Sequence, residues 1–338
     1  MNKLLITGSS GFIGSYFLQK YKANYDIATF SFLQDEFDSL SCDGVDAVLH
    51  LSALVHQMGG ASEAEYERVN VAQTLRLATK AKESGVEHFV FMSSVKVYGE
   101  ESDGVYAEQA PLCPEDAYGR SKRDAEEALL KLEDESFRVS IIRTPIVYGY
   151  GVKANIASLV NLVKRVSLLP FGGIDNARSM VYIGNLCHLI DEVMRFRVEP
   201  GMTAEGQSGM TAEEQPGMTA EEQSGMTAEG QCGVTRECHP KLLPQGHDNS
   251  GSRNIFLASD DEPLSTTRLI ELIAKALGKK VTLVKAPFFE SALKLLKPSF
   301  HKRLYGSLEI DNSLTKARLN LKNPYSVEEG ISLMLNVK

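Results

Sequence analysis

No stretch of this chain stays apolar for the roughly 18 residues that a membrane-spanning helix needs, so no membrane partner is expected. A basic excess is missing as well. The net charge of −8 leaves no cationic footprint for nucleic acid, and that partner is set aside. Cysteine is sparse and unpatterned: Cys42, Cys113, Cys187, Cys232 and Cys238 are odd in number and scattered. Cys232 and Cys238 precede His239, yet their spacing fits no common zinc pattern, so free thiols in a cytoplasmic setting are expected and no metal. A secretory leader is not expected either, because Lys3 runs at once into an apolar strand and a glycine turn. What is present is ordinary for a globular chain: 338 residues, 43 % hydrophobic and 24 % charged, enough for a substantial core.

The first fourteen residues carry the strongest local signal. Leu4, Leu5 and Ile6 read as a buried strand, Gly8, Gly11 and Gly14 as a turn, and Phe12 to Tyr21 as an amphipathic helix. Strand, glycine turn and helix start make an anion site, because the N–H groups of a helix N-terminus and its macrodipole favour a pyrophosphate. Gly11 lets the backbone approach the phosphate, and Gly14 lets the helix sit against the strand. Two residues separate each pair of glycines, which differs from the general Gly-x-Gly-x-x-Gly fingerprint.

Further strands are expected at Tyr25 to Phe30, Ala47 to Leu51, Phe89 to Met92 and Val139 to Arg143. Helices are expected at Glu63 to Ser84, with Gly85 as its stop, and at Asp116 to Leu132. Strands alternating with helices argue for an α/β fold with a doubly wound parallel sheet. Only about fifteen residues separate the second and third strands, so the usual helix and strand between them must be abbreviated. The end of the second strand reads Phe30-Ser31-Phe32, without the carboxylate or arginine that meets an adenosine ribose; Asp35 and Glu36 come slightly late. The choice between NAD and NADP therefore stays open.

Beyond residue 150 come a helix at Ala154 to Val166, a short strand at Ser179 to Ile183 and a helix at Asn185 to Phe196. Residues 201–232 are four near-copies of Gly-Met-Thr-Ala-Glu-x-Gln-x, which offer only Met and Ala to a core. The stretch 198–253 therefore reads as a disordered, low-complexity surface insertion. The fold resumes with a strand at Asn254 to Ala258 and a helix at Ser265 to Leu277, ended by Gly278.

Tyr118 and Lys122 are four apart on an expected helix and share a face. Alone, that spacing describes a solvated helix face. A tyrosine phenol titrates near ~10, too high for proton transfer at neutral pH. A lysine cation one turn away stabilises the phenolate, and an oxidised nicotinamide acts in the same sense. Ser94, at the end of a strand, can hydrogen-bond the substrate oxygen while Tyr118 moves the proton.

Thr7-Gly8-x-x-Gly11-x-x-Gly14, Ser93-Ser94, Tyr118-x-x-x-Lys122 and the segment from Arg143 to Gly149 together resemble the extended short-chain dehydrogenase/reductase family. Within it they resemble the NAD-dependent epimerase/dehydratase group that acts on nucleotide sugars. The resemblance covers 1–197 and 254–335. It implies a Rossmann-type domain over 1–150 and a smaller mixed α/β part over 151–197 and 254–338 that binds substrate. It implies Ser94, Tyr118 and Lys122 as catalytic residues, and cofactor contacts from Gly8, Gly11, Phe12, Ile13, Gly14, Leu51, Ala53, Tyr118, Lys122 and Pro145. A homodimer also goes with it.

The segments His50 to His56, Ser94 to Val97, Gly151 to Asn155 and Arg178 to Tyr182 resemble members acting on UDP-linked acetamido sugars in polysaccharide biosynthesis. By that likeness Asn155 and Arg178 would bind the UDP diphosphate; Arg303, near the Tyr305-Gly306-Ser307 turn, is a weaker second phosphate candidate, and His56 reads equally as a sugar contact or as a structural histidine. A planar guanidinium suits phosphate, although a surface salt bridge is the plainer role for Arg178. Dehydratases of the family place an acid after the catalytic hydroxyl residue; here Val95 and Lys96 follow Ser94, which disfavours a 4,6-dehydratase. The leading expectation is a UDP-sugar 4-epimerase using NAD, with NADP not excluded. The alternatives are a one-way NAD(P)H-dependent reductase of a UDP-4-keto-6-deoxy-acetamido sugar and a non-catalytic dinucleotide-binding module.

Overall fold

A computed structural model describes residues 2–55, 61–102, 104–196 and 254–335. The repeat insertion expected at 198–253, and His56, lie outside the described residues.

Six parallel strands form the central sheet: β1 (Lys3–Thr7), β2 (Asp26–Phe30), β3 (Ala47–His50), β4 (His88–Ser94), β5 (Arg138–Thr144) and β6 (Ile255–Leu257). Their order is β6-β5-β4-β3-β1-β2. Each strand alternates its apolar residues between two cores, as a sheet covered on both faces requires. Leu4, Ile6, Leu49, Val90 and Ile142 enter one cluster. Leu5, Val48, Phe89, Phe91, Val139 and Ile141 enter the other. Helices α1 (Phe12–Tyr21), α2 (continuous over 63–83) and α3 (Ala117–Leu130) follow β1, β3 and β4. The abbreviated connection expected after β2 is a single 3₁₀ turn, Phe37–Ser39, and β2 is the sheet edge.

Because the strands are parallel, their C-terminal ends share one side. The register sets Thr7 opposite His50 and Ser94 opposite Thr144. The chain grows from β1 in one direction to β2 and in the other to β3, so a crevice opens at those ends, where such sheets take ligands.

Of the remaining segments, the helix at Ile183–Arg195 packs beside α1 on the sheet face that holds Leu4, Ile6 and Leu49. Helices α4 (Ala154–Arg165), α5 (Ile183–Arg195), α6 (Thr266–Ala276), α7 (Pro287–Leu296) and α8 (Pro298–Tyr305) accompany three short parallel pairs. These join Ile146–Tyr148 to Met180–Tyr182, Val105–Tyr106 to Glu309–Ile310, and Leu168–Leu169 to Thr282–Leu283. Helix α5 starts two residues earlier than the sequence suggests. The buried Asp260 carboxylate accepts the Tyr182 N–H (3.0 Å) and the Asn185 amide (2.7 Å), which fixes that turn.

Candidate active site

The glycine turn is dictated by close approach. Gly8 has φ +72°, and a Cβ there would lie 2.7 Å from the Ser52 nitrogen. A Cβ on Gly14 would lie 2.4 Å from the Gly8 carbonyl oxygen. The chain leaving β3 is thereby pressed along the turn. Leu51 N–H donates to the Thr7 carbonyl (3.1 Å), and Leu51 and Ala53 are half-buried beside it. Gly11 caps α1 without a side-chain acceptor, and the first turn holds no acid, so its N–H groups face the crevice mouth. The Phe12 ring lies within reach of Gly149, which brings α1 to the segment after Pro145. The expected cofactor residues Gly8, Gly11, Phe12, Ile13, Gly14, Leu51, Ala53 and Pro145 therefore cluster at the C-terminal side of β1, β3 and β5. The late acid also finds a place: the Asp35 carboxylate folds back to accept the Ser31 N–H (2.8 Å) at the end of β2.

Ser94 ends β4, and its hydroxyl accepts the Lys96 N–H (3.3 Å), capping the turn Val95–Val97. Tyr118 stands in the first turn of α3, capped by Asp116 through the Gly119 N–H (2.6 Å). Burial pushes the Tyr118 phenol up to about 12, while a hydrogen bond with Ser94 pulls in the opposite direction. Lys122 is buried, with Nζ donating to the Met92 carbonyl (2.8 Å) and lying 4.6 Å above the Phe91 ring centre. Burial lowers its pKa to about 7, and the nearby Glu126 carboxylate opposes that shift. The three expected catalytic residues thus meet where β4 and α3 touch.

Three buried groups below them escaped the sequence reading. Glu126, one turn beyond Lys122, pairs with Arg143 of β5 (2.7 Å), and both side chains are 3 % exposed or less. Glu126 also accepts from the Ser93 hydroxyl, and Arg143 reaches the Tyr98 hydroxyl (2.7 Å) and the Glu108 carbonyl (2.9 Å). Asn70, on a π-helical stretch of α2 (Glu67–Ala72), holds Leu54 by its N–H (2.8 Å) and carbonyl (3.0 Å), and donates to the Ser121 hydroxyl (3.0 Å). It fixes the loop after β3 to the helix that carries Tyr118. His50 sits between the Thr7 and Thr74 hydroxyls (2.6 and 2.9 Å), its pKa lowered to about 3 by burial and by Lys122. Nothing in the sequence singles out Asn70; the π-helical stretch that carries it, a frequent mark of functional sites, is visible only in the structure.

Arg178 is half-buried and spends two donors on backbone: Nε on the Gly306 carbonyl and Nη2 on the Lys302 carbonyl, both 2.8 Å. Burial lowers its pKa, Glu101 and Glu100 oppose that, and the Arg303 charge adds to the lowering. Glu101 and Glu100 act on Arg178 more strongly than Arg303 does, so the two arginines share an electrostatic neighbourhood that already holds counter-charge. Asn155 is exposed in the first turn of α4. An ionic ladder links the arginine pair to the catalytic helix. Lys302 pairs with Glu101 and Glu115 (3.6 and 3.5 Å), and next to Glu115 the Asp116 cap pairs with Lys96 (2.6 Å). Burial works to raise the Asp116 carboxyl, but Lys96 and the Gly119 N–H outweigh it and hold it below the usual range.

A doubly wound parallel sheet, a glycine turn at its switch point and a Ser-Tyr-Lys cluster at the adjacent strand end define the class of short-chain dehydrogenase/reductase proteins. The turn fits a dinucleotide by its donor set: the first N–H groups of α1 have no side-chain cap, and no acid stands in the first turn to oppose a pyrophosphate. The model of the NAD dependent epimerase/dehydratase family matches residues 4–202. The chain is 32 % identical to a UDP-glucose 4-epimerase of Vibrio cholerae, over 97 % of this chain and 92 % of that protein. It is 28 % identical to an N-acetyl-α-D-glucosaminyl-diphospho-ditrans,octacis-undecaprenol 4-epimerase of Escherichia coli O157:H7, over 56 % of this chain and 62 % of that one. Among solved structures, the UDP-glucuronic acid 4-epimerase of Bacillus cereus in complex with NAD has a TM-score of 0.64 at 16 % identity, covering 98 % of this chain and 96 % of that one. The chain belongs to the NAD-dependent epimerase/dehydratase family.

Proposed function

We propose that this chain is a NAD-dependent UDP-sugar 4-epimerase of surface polysaccharide biosynthesis. The observation that carries the reading is the junction of Ser94, Tyr118 and Lys122 at the end of β4, beside the glycine turn. The UDP-sugar substrate is supported by the named activities of the relatives and by the Arg178–Arg303 pair. No described helix is long and apolar enough to cross a membrane, and a cytoplasmic place, where NAD and nucleotide sugars are at hand, goes with this reading.

The site residues act as follows. Arg178 and Arg303 hold the diphosphate, and Asn155 reaches it from the start of α4. Ser94 hydrogen-bonds O4 of the sugar and orients it toward Tyr118. The Tyr118 phenolate takes the O4 proton as the C4–H bond breaks, leaving a 4-ketone. A bound nicotinamide would accept that hydrogen with its electron pair and return it. Tyr118 gives the proton back to O4 after the sugar has presented its other face. The protonated form of Lys122 supplies positive charge one helical turn from the phenol, in the sense that favours the phenolate. Gly8, Gly11, Phe12, Ile13, Gly14, Leu51, Ala53 and Pro145 would hold the dinucleotide. Val95 has no proton to move, so elimination of water is not supported.

Incubation with UDP-N-acetylglucosamine, and separately with UDP-glucose, without added reductant tests the assignment. The expected result is interconversion with the 4-epimer and no net NADH. Consumption of one NADPH per UDP-4-keto-6-deoxy-acetamido sugar, with no epimer formed, would make the chain a reductase instead. Absence of turnover in both assays would overturn the UDP-sugar reading.

A further inference from the structure

Helices α7 and α8 leave apolar side chains in solvent. Phe288 is 90 % exposed, Leu295 83 %, Leu296 76 % and Phe300 45 %. Helical spacing explains the pattern. Phe288, Ala292 and Leu295 stand at i, i+4 and i+7, one stripe of α7, and all three are exposed. The neighbouring Phe289 turns inward, its ring 5.9 Å from that of Phe171, and anchors the helix to the main core. Helix α7 is thus apolar on the side that packs and apolar again on a side that does not.

Charge says what such a face fits. Between 279 and 303 seven lysines and arginines stand against one acid, Glu290, in a chain whose net charge is −8. Two of the seven are used inward: Lys279 donates to the Val163 and Lys164 carbonyls, and Lys302 pairs with Glu101 and Glu115. Lys280, Lys285, Lys294 and Lys297 are exposed and make no ion pair with another described residue. A second copy of the chain is disfavoured as the occupant, because a two-fold contact through this face would set these lysines against their own copies.

We propose that the outer face of α7 and α8 is a docking surface for the anionic leaflet of a lipid bilayer. Phe288, Leu295, Leu296 and Phe300 enter the boundary between headgroups and acyl chains, and Lys285, Lys294 and Lys297 meet the anionic headgroups. The mode is interfacial, in keeping with the lack of a spanning helix among the described residues. Helix α8 is eight residues long, roughly 12 Å, and ends beside Arg178. Docking would therefore hold the candidate diphosphate site close to the membrane plane.

Sedimentation of the full-length protein with vesicles tests this, comparing pure phosphatidylcholine with phosphatidylcholine containing phosphatidylglycerol. Binding should favour the anionic vesicles by about tenfold or more and weaken at high salt. Phe288→Ser with Leu295→Ser, and separately Lys294→Glu with Lys297→Glu, should each lower partitioning by about tenfold. Thermal melts of both double variants identify any that fail to fold, and the lysine pair, being fully at the surface, keeps the test decisive. Absence of binding to anionic vesicles, or equal binding by the wild type and both folded variants, overturns the proposal. So does a change of oligomeric mass in the variants without loss of vesicle binding, which would make the face a protein contact.

Discussion

Helices α3 and α7 invert the usual placement of residues in opposite ways. Helix α3 turns Ser121, Lys122 and Glu126 inward, and all three are buried. Helix α7 turns Phe288, Leu295 and Leu296 outward. Buried polar groups are costly unless partnered, and α3 partners each one: Ser121 with Asn70 and the Tyr118 carbonyl, Lys122 with the Met92 carbonyl, Glu126 with Arg143 and Ser93. Exposed apolar groups forgo about 2 kcal/mol of burial apiece, and α7 gains nothing for them within this chain. Misplaced residue types mark chemistry in the first helix and a surface in the second.

The largest effect should come from the atom that moves the proton. Tyr118→Phe removes the phenol without altering the ring that packs 6.1 Å from Tyr66. Turnover should fall by about 10²–10⁴, the usual worth of a positioned acid–base group, while dinucleotide affinity changes little. Kinetics of epimer formation together with calorimetric titration of NAD would show the split. Retained turnover would remove Tyr118 from the chemistry.

Next comes the ion pair beneath it. Glu126→Leu strands the Arg143 guanidinium in the core, which costs about 3–5 kcal/mol when a buried pair loses one member. The double variant Glu126→Leu with Arg143→Met should recover much of that loss, since no charge is then left unpaired. Denaturant unfolding of the single and double variants reads both terms. Equal losses in the two would mean that Glu126 acts through Ser93 alone.

The site should also make the fold acid-sensitive. The His50 pKa is lowered to about 3 by burial, against an ordinary 6.5. The unfolded chain therefore binds a proton that the folded one refuses, and stability present above pH ~6.5 is lost as pH falls toward ~3. His50→Gln keeps a donor and an acceptor for Thr7 and Thr74 and removes the titration. Its stability curve over that window should be flatter than that of the wild type, measured by urea unfolding at a series of pH values.

How legible these features were follows from the same contrast. Helix α3 announced itself through local spacing: Tyr118 and Lys122 stand four apart in a stretch expected to be helical from Asp116. The strands were plain for a similar reason, because Leu4–Ile6 and Phe89–Met92 are short apolar runs bounded by polar residues. Glu126 was legible only as one residue of the helix expected at Asp116 to Leu132, because its partner Arg143 is on strand β5 and pairing across that distance leaves no mark in the sequence. Asn70 looked like one polar residue in an amphipathic helix until Leu54 and Ser121 closed around it. In α7, apolar residues at helical spacing describe a core helix. Whether anything covers the face is decided by the placement of the whole segment, which the spacing of Phe288 and Leu295 does not contain.

The smallest expected effect discriminates best between the two helices, because one chemical change can be made in both. Leu129 of α3 is fully buried and Leu295 of α7 is 83 % exposed. Leu129→Ala removes packed methyl groups and leaves a cavity, a loss of about 2–5 kcal/mol. Leu295→Ala removes the same atoms from contact with water and should change stability by no more than about 0.5 kcal/mol. Helix propensity pushes the same way at both sites, since alanine is the better helix former, so the difference isolates burial. If the lipid surface is the partner of α7, Leu295→Ala should leave the melting temperature in place and still weaken binding to anionic vesicles. A stability loss at Leu295 comparable to that at Leu129 would mean that the chain itself covers this face, and the contrast between the helices would disappear.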